Sequence, residues 1–210
     1  MFAVILDWTY REDKGAKEMT VDEKTIWNRK HSERSHSSLT PDPLLVSAYD
    51  EFLANETPGT ALDIAGGVGR HAIWLAERGW RVKLVDISDV GIYQAGENAK
   101  RTKTDGRIVT EIRDLDGMQD LGREQYDLVL VFFFLQRELF PALMAALKPG
   151  GYLIYKTYTT EQKRFTGGPS HPMFLLEPNE LLHAFFAMRV LHYHETIQGK
   201  GIAELVARKK

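Results

Sequence analysis

The segment ALDIAGGVGRHAIWLAERGW, residues 61–80, constrains this chain more than any other. A short apolar run reaches Asp63, glycines follow at positions 66, 67 and 69, and a helical pattern opens at once. Glycines at that density allow a sharp turn and let a ligand come close to the backbone. A strand that passes into a helix through such a bend also directs the helix's unsatisfied N–H groups towards it. In an open α/β sheet the ligand then lies beyond the carboxyl end of the strand.

The surrounding pattern predicts the sheet. Strand 60–64 precedes helix 69–79, and strand 81–86 precedes helix 89–103. Strand 108–112 leads through a polar stretch to strand 126–132. Helix 138–147 ends at Lys148-Pro149-Gly150-Gly151, a stop signal, and strand 152–157 follows. A short helix over 178–186 and strands 188–195 and 202–208 complete the chain. Apolar strands alternating with helices predict a doubly wound α/β fold, a mostly parallel sheet with helices on both faces. The short link between the last two strands predicts a hairpin, and so one antiparallel strand.

The 210 residues suit one domain, with an appendage ahead of it. Thr20-Val21-Asp22-Glu23 is a capping-box pattern that predicts a helix carrying Ile26 and Trp27. A polar loop over 31–41 follows, then Asp42 caps and Pro43 opens a second helix. Residues 1–41 therefore divide off as an extension and lid, and 42–210 as the ligand-binding domain. Met19 is a second candidate start, which would make residues 1–18 a loosely held extension.

Asp63 discriminates between ligands. Beside a pyrophosphate, a carboxylate at the strand end is repelled by about 1–4 kcal/mol. Beside an ammonium and a sulfonium it is favourable, and S-adenosylmethionine carries both without any phosphate. Gly67-x-Gly69-x-x-Ala72 also fits a dinucleotide fingerprint, with Asp86 some 19 residues after Gly67, so a nicotinamide cofactor remains an alternative. A P-loop is excluded, because no Gly-Lys-Ser/Thr closes the bend. Asp86, ending the second strand, can accept both ribose hydroxyls of an adenosine or cap the next helix, a task open to Ser88 as well. Asp114, or the backbone at Leu115, lies where an adenine amino group would be met.

With these residues assembled, LDIAGGVGRHAIWLAERGWRVKLVDIS resembles the class I S-adenosylmethionine-dependent methyltransferases. Gly-Arg-x-Ala-x-x-Leu-Ala-x-x-Gly is similar to the branch containing the small bacterial tellurite-resistance enzymes, and YDLVLVFFFL and ALKPGGYLIYKTY match further along. The resemblance implies a seven-stranded Rossmann-like sheet whose last hairpin strand is antiparallel. It implies cofactor contacts at Asp63, Ala65, Gly66, Gly67 and Gly69, ribose at Asp86, adenine at Ile87, Asp114 and Leu115, and the methionine moiety near Phe132. Two departures put tellurite specificity in question. Trp27-x-x-x-His31 stands where relatives show Trp-x-x-x-Tyr, and His71 stands where an Asn is common.

Methyl transfer from a sulfonium expels a neutral thioether, so positioning and desolvation dominate. Phe132-Phe133-Phe134-Leu135 could wall the reacting centre. Trp27, Arg70, Gln136, Arg137, Tyr158 and His171 are the candidate substrate-pocket residues, with Arg137 suited to an anionic substrate. His31 is the leading general base, ahead of His36, because an imidazole titrates near neutral pH. His192-x-His194 lacks a third ligand, so no metal is expected. There are no cysteines, and the net charge of −2 supports neither a nucleic-acid nor a membrane partner. With no 18-residue apolar run and no complete signal peptide, the chain reads as cytoplasmic. The expected function is methyl transfer to a small molecule. A nicotinamide oxidoreductase and a non-catalytic adenosine-ligand sensor are the alternatives.

Overall fold

The computed structural model describes residues 22–33, 38–117 and 119–210. The Thr20 cap, His36 and the 1–18 extension lie outside the described residues. Helix α1 (Glu23–Glu33) comes first, then α2 (Pro43–Ala48), which continues into a wider π-type turn over Tyr49–Leu53. The alternating core follows: β1 (Thr60–Ile64), α3 (Arg70–Ala76), β2 (Arg81–Asp86), α4 (Asp89–Arg101), β3 (Ile108–Ile112) and β4 (Tyr126–Phe132). Then come α5 (Phe140–Ala146), β5 (Leu147–Tyr158), α6 (Glu180–Ala184), β6 (Arg189–Thr196) and β7 (Ile202–Arg208).

The strands form one seven-stranded sheet in the order β3-β2-β1-β4-β5-β7-β6. All neighbours are parallel except β7, which is antiparallel to both β5 and β6. The period-2 alternation of the strands sends side chains to opposite faces. Leu62, Ile64, Val129 and Val131 share a core with Leu143 of α5, Leu181 of α6 and the flanking Leu139 and Phe185. Ala61, Leu84, Leu128 and Leu130 meet α2, α3 and α4 through Leu45, Leu75 and Ala95. The order reverses between β1 and β4, so ligands are expected at their carboxyl ends.

One boundary differs from expectation. Lys148-Pro149-Gly150-Gly151 does not separate α5 from its strand. β5 begins at Leu147, opposite Tyr126, and runs through the glycines with a register shift between Tyr126 and Leu128. Gly150 takes φ +80, and Gly151 sits so close to the carbonyls of Lys148 and Tyr126 that a Cβ would lie about 3 Å from each. The glycines are thus strand residues at an irregularity.

Lys156, across from Phe132 in the sheet, ties the layers together. Its Nζ lies 2.9 Å from Asp42 and 2.8 Å from Glu204, and Asp42 also accepts the Leu44 N–H as cap of α2. The hairpin end is pinned differently. The Gly201 N–H donates to Gln162 Oε1 at 3.0 Å, and its carbonyl accepts from Thr159 N–H at 3.0 Å. A Cβ at Gly201 would run into the Glu161 and Gln162 backbone. Gly201→Ala should therefore cost about 2–3 kcal/mol, the upper range for overpacking. Urea unfolding should show a lower midpoint at unchanged slope, and an unchanged midpoint would mean that the 159–162 turn relaxes freely.

Candidate active site

Asp86 organises the carboxyl edge. Its Oδ2 accepts the Gly67 N–H at 2.8 Å and its Oδ1 the Ser88 N–H at 2.8 Å. One carboxylate thus fixes both the glycine bend and the entry to α4. Each oxygen keeps a second lone-pair site for another donor. Burial pushes the Asp86 pKa up, while the N–H groups of Ser88 and Gly67 and the nearby His31 hold it down. Ser88 caps α4, its Oγ accepting the Gly91 N–H at 2.9 Å, so the capping role open to either residue falls to Ser88.

The N-terminal helix lies over this edge. Ser88 Oγ donates to Asn28 Oδ1 at 2.6 Å, Gln94 Nε2 donates to the His31 carbonyl at 3.2 Å, and Lys24 pairs with Asp89 at 3.1 Å. At its start Glu23 faces Asp116 and Asp114; burial first, then these two acids, raises its pKa. At its end the His31 ring sits between two glycines. A Cβ on Gly67 would lie 3.0 Å from His31 Cε1, and one on Gly91 3.0 Å from His31 Cδ2. The ring stacks on Trp27 with centroids 6.0 Å apart, and Lys30 lies over Trp27. Asn28 was not marked by sequence, since one Asn in a polar helix carries no signal.

Beneath the bend lies an unpaid electrostatic cost. Asp63 is 1% exposed and neither carboxylate oxygen finds a well-formed hydrogen bond among the described residues. A Cβ on Gly66 would lie 2.8 Å from its Oδ2, so glycine there permits the acid to fit. Burial pushes its pKa up to about 7, with Asp86 adding to the rise and the Arg70 guanidinium opposing it. Two residues after Gly69, His71 is 3% exposed and its Nε2 is likewise without a partner among the described residues. Burial, then Arg70 and Lys156, holds its pKa well below the usual histidine value. An unsatisfied buried polar group costs about 1–3 kcal/mol. Three such atoms at one strand end mark a place built for something other than stability.

Backbone strain falls at the same edge. Ala65, just after β1, has φ +52, and Phe133, just after β4, has φ +57. Such left-handed conformations for non-glycine residues concentrate at ligand sites. The Phe133 N–H donates to the Lys156 carbonyl at 2.7 Å, which holds the kink. Phe132 packs against His71 with ring centroids 4.1 Å apart, and Phe133 against Tyr158 at 5.2 Å. Ile87 is half-buried after Asp86, Leu115 is buried, and Asp114 is exposed, accepting the Asp116 N–H.

Other candidates are placed differently. Arg137 was read as a holder of anionic substrate; instead its guanidinium makes a two-pronged pair with Glu180 and donates to the carbonyls of Met173 and Leu175. That geometry uses the fork to brace the 173–180 loop. His171 caps the Pro172–Phe174 turn through Nδ1, and Gln136 reaches Asp116 Oδ1 at 3.3 Å. No group of three metal-ligating side chains occurs among the described residues. A separate cavity of about 230 Å³ beneath the 113–125 loop includes Lys83 and Arg113, both paired with Glu111.

Known proteins place this geometry. Residues 61–151 match the methyltransferase domain family. Over 75 residues the chain is 36% identical to ribosomal RNA small subunit methyltransferase C of Alcanivorax borkumensis, a match covering 36% of this chain and 23% of that protein. The chain thus matches less than a quarter of that relative's length. Among solved structures, TehB from Haemophilus influenzae superposes with a TM-score of 0.69 at 18% identity, covering 88% of this chain and 67% of that one. Geranyl diphosphate C-methyltransferase from Streptomyces coelicolor A3(2), solved with S-adenosyl-L-homocysteine, gives 0.61 at 16% identity, covering 89% and 96%. At these identities the structural likeness speaks to fold.

Two outcomes test the site. Asp63 protonates near pH 7 in the fold and near 3.9 when unfolded. Between those values the folded state holds the extra proton, so stability falls as pH rises, and the loss is complete above pH 7. Asp63→Asn should therefore stabilise the fold at pH 8 by up to about 4 kcal/mol and far less at pH 4, read as a larger rise in melting temperature at pH 8. A pH-independent difference would mean that the carboxylate is satisfied. Gly67→Val places a branched residue at φ +55 against His31, and should cost about 1–2 kcal/mol. Calorimetry should show adenosine-ligand binding lost while circular dichroism stays near wild type; normal binding would make the bend mere punctuation.

Proposed function

We propose that this chain, a class I S-adenosylmethionine-dependent methyltransferase by its fold and by the family of its residues 61–151, transfers a methyl group to a small-molecule acceptor. The observation that carries the site reading is Asp63, a buried carboxylate with no well-formed hydrogen bond among the described residues, only the Ala72 N–H and Arg70 easing its burial. An ammonium suits it; a pyrophosphate does not, which disfavours the nicotinamide alternative. Arg70 lies near enough to lower the Asp63 pKa, so the two offer opposite charges to an amino-acid zwitterion. The Asp86 carboxylate, at the end of β2, suits ribose hydroxyls. Ile87, Leu115 and Asp114 frame the adenine, while Ala65, Gly66, Gly67 and Gly69 leave room for the chain between. Phe132 faces the sulfonium end.

When bound, the cofactor supplies an activated methyl group whose departure leaves a neutral thioether. The protein need not provide an acid. Its residues orient the reactants, exclude water and give the positive charge an aromatic surround at Phe132. Residues 22–33 serve as the lid, and 42–210 as the catalytic domain. His31 sits between Gly67 and Gly91, close to the Asp86 carboxylate that would meet a ribose. Its place beside Asp86 and the bend suits a lid contact better than a base at the acceptor.

The ribosomal RNA relative raises RNA as a second acceptor class. Two observations favour the small molecule: a net charge of −2, and an edge where Lys156 and Arg137 are both committed to carboxylates. Among the described residues no helix is long and apolar enough to cross a membrane.

Calorimetry should show S-adenosylmethionine binding in preference to NAD, with Asp86→Ala weaker by about 1.5–3 kcal/mol. Release of S-adenosyl-L-homocysteine with a small-molecule panel, and not with ribosomal RNA, would establish the activity; binding without turnover on either would leave a sensor. Hydrogen exchange tests the lid. Amides of 24–33 should slow on adding S-adenosyl-L-homocysteine, and a chain beginning at Ser38 should fold but turn over at least tenfold slower. Unchanged exchange together with full activity of the shortened chain would remove the lid.

A further inference from the structure

We propose that His71 contacts the methyl acceptor through Nε2, and that the acceptor is a neutral aromatic hydroxyl compound. This rests on the methyltransferase reading and names the substrate class of the same site.

If adenosine occupies the β2–β3 half of the carboxyl edge, the methyl group must be delivered towards β4 and β5. That half carries a run of rings: His71 on Phe132 at 4.1 Å between centroids, then Phe133 on Tyr158 at 5.2 Å. Planar ligands fit such walls through offset or edge-to-face contacts. Phe133 is held in its left-handed backbone conformation by the bond to the Lys156 carbonyl, so the second ring pair is fixed in place.

Two cations at this end are committed to carboxylates. Lys156, 5.8 Å from the Phe133 centroid, is shared between Asp42 and Glu204, while Arg70 lies near Asp63 and His71. Arg137 is held by Glu180 and two carbonyls. A bound oxyanion would have to compete with those carboxylates. Among the described residues, two buried polar atoms here have no hydrogen-bond partner: Thr159 Oγ1, just past β5, and His71 Nε2, on a ring that is 3% exposed and packed on Phe132. A neutral imidazole with a proton on Nδ1 offers Nε2 as an acceptor. Burial, Arg70 and Lys156 keep the ring neutral, and a neighbouring sulfonium would act in the same direction.

The step balances with these groups alone. The hydroxyl oxygen forms its bond to the methyl carbon as the carbon–sulfur bond breaks, and that bond's electrons stay on sulfur. The hydroxyl proton, donated in a hydrogen bond to His71 Nε2, is given up to water as the methyl ether forms. An aryl methyl ether and a thioether result.

Phenol is the minimal probe. It should be titrated into the full chain loaded with S-adenosyl-L-homocysteine while the His71 ring nitrogens are followed by long-range proton–nitrogen correlation. A saturable shift at Nε2 is expected. His71→Phe, which keeps a ring against Phe132, should weaken phenol at least fivefold with cofactor affinity unchanged, and His71→Gln should restore much of the loss. The wild-type spectrum decides the matter even where a variant folds poorly. Four results would overturn the proposal: no shift, equal phenol affinity in His71→Phe, loss of cofactor affinity in that variant, or a shift with selenite and none with phenol. Failure of the wild type to bind S-adenosyl-L-homocysteine would instead remove the methyltransferase reading on which this one stands.

Discussion

The two backbone bonds to Asp86 are the constraint on which the carboxyl edge depends. Through Oδ2 the carboxylate sets the path of the glycine bend, and through Oδ1 it sets Ser88. Ser88 then caps α4 and holds Asn28 of α1. A single side chain at the end of β2 therefore couples the ligand-facing bend, the neighbouring helix and the N-terminal cover. These bonds are charge-assisted, and each is stronger than a neutral one. Removing the carboxylate would release all three elements together, so effects on binding and on the cover cannot be treated as independent.

The edge is electrostatically divided. Asp63, Asp86, Glu23, Asp114 and Asp116 gather on the side of β1, β2 and β3, and burial or mutual repulsion raises the pKa of the first three. Towards β4 and β5, Lys156 and Arg137 are neutralised by Asp42, Glu204 and Glu180. Stability alone would not favour a buried acid with no well-formed hydrogen bond among the described residues beside a second acid. A ligand bearing positive charge turns that arrangement from cost to binding energy. Towards β4 and β5 the lining is aromatic, with His71 on Phe132 and Phe133 on Tyr158.

Most of the architecture was legible because it depends on short-range patterns. The alternation of apolar strands with helices predicts both covered faces, and the brief link at 197–201 predicts the antiparallel end. The bend was legible through Gly66, Gly67 and Gly69 with Asp63, because glycine density is visible in a string of letters. Pairings across long sequence separations were not. Nothing in the sequence marks Arg137 as the partner of Glu180, Lys156 as the partner of Asp42, or Asn28 as the partner of Ser88. Each is an ordinary polar residue until the fold brings its partner near. For Arg137 this reversed the reading, since an apparently available cation is bound within the protein. The start of β5 was obscured for the opposite reason: Pro149-Gly150-Gly151 is a stop signal locally, yet sheet pairing of Leu147 with Tyr126 overrides it.

His31 and His71 show why residue type alone could not choose a role. Both are imidazoles within reach of the bend, and only His31 lies in a segment whose sequence suggested a lid. The structure separates them by neighbourhood. His31 is half-buried against Gly67 and Gly91 with Asp86 close by. His71 is buried on Phe132 with Arg70 and Lys156 near, where the neutral ring is favoured. A neutral, buried imidazole can accept a hydrogen bond through Nε2, whereas His31 is placed against backbone at the glycine bend. The two rings differ in neighbourhood although sequence gives both the same residue type.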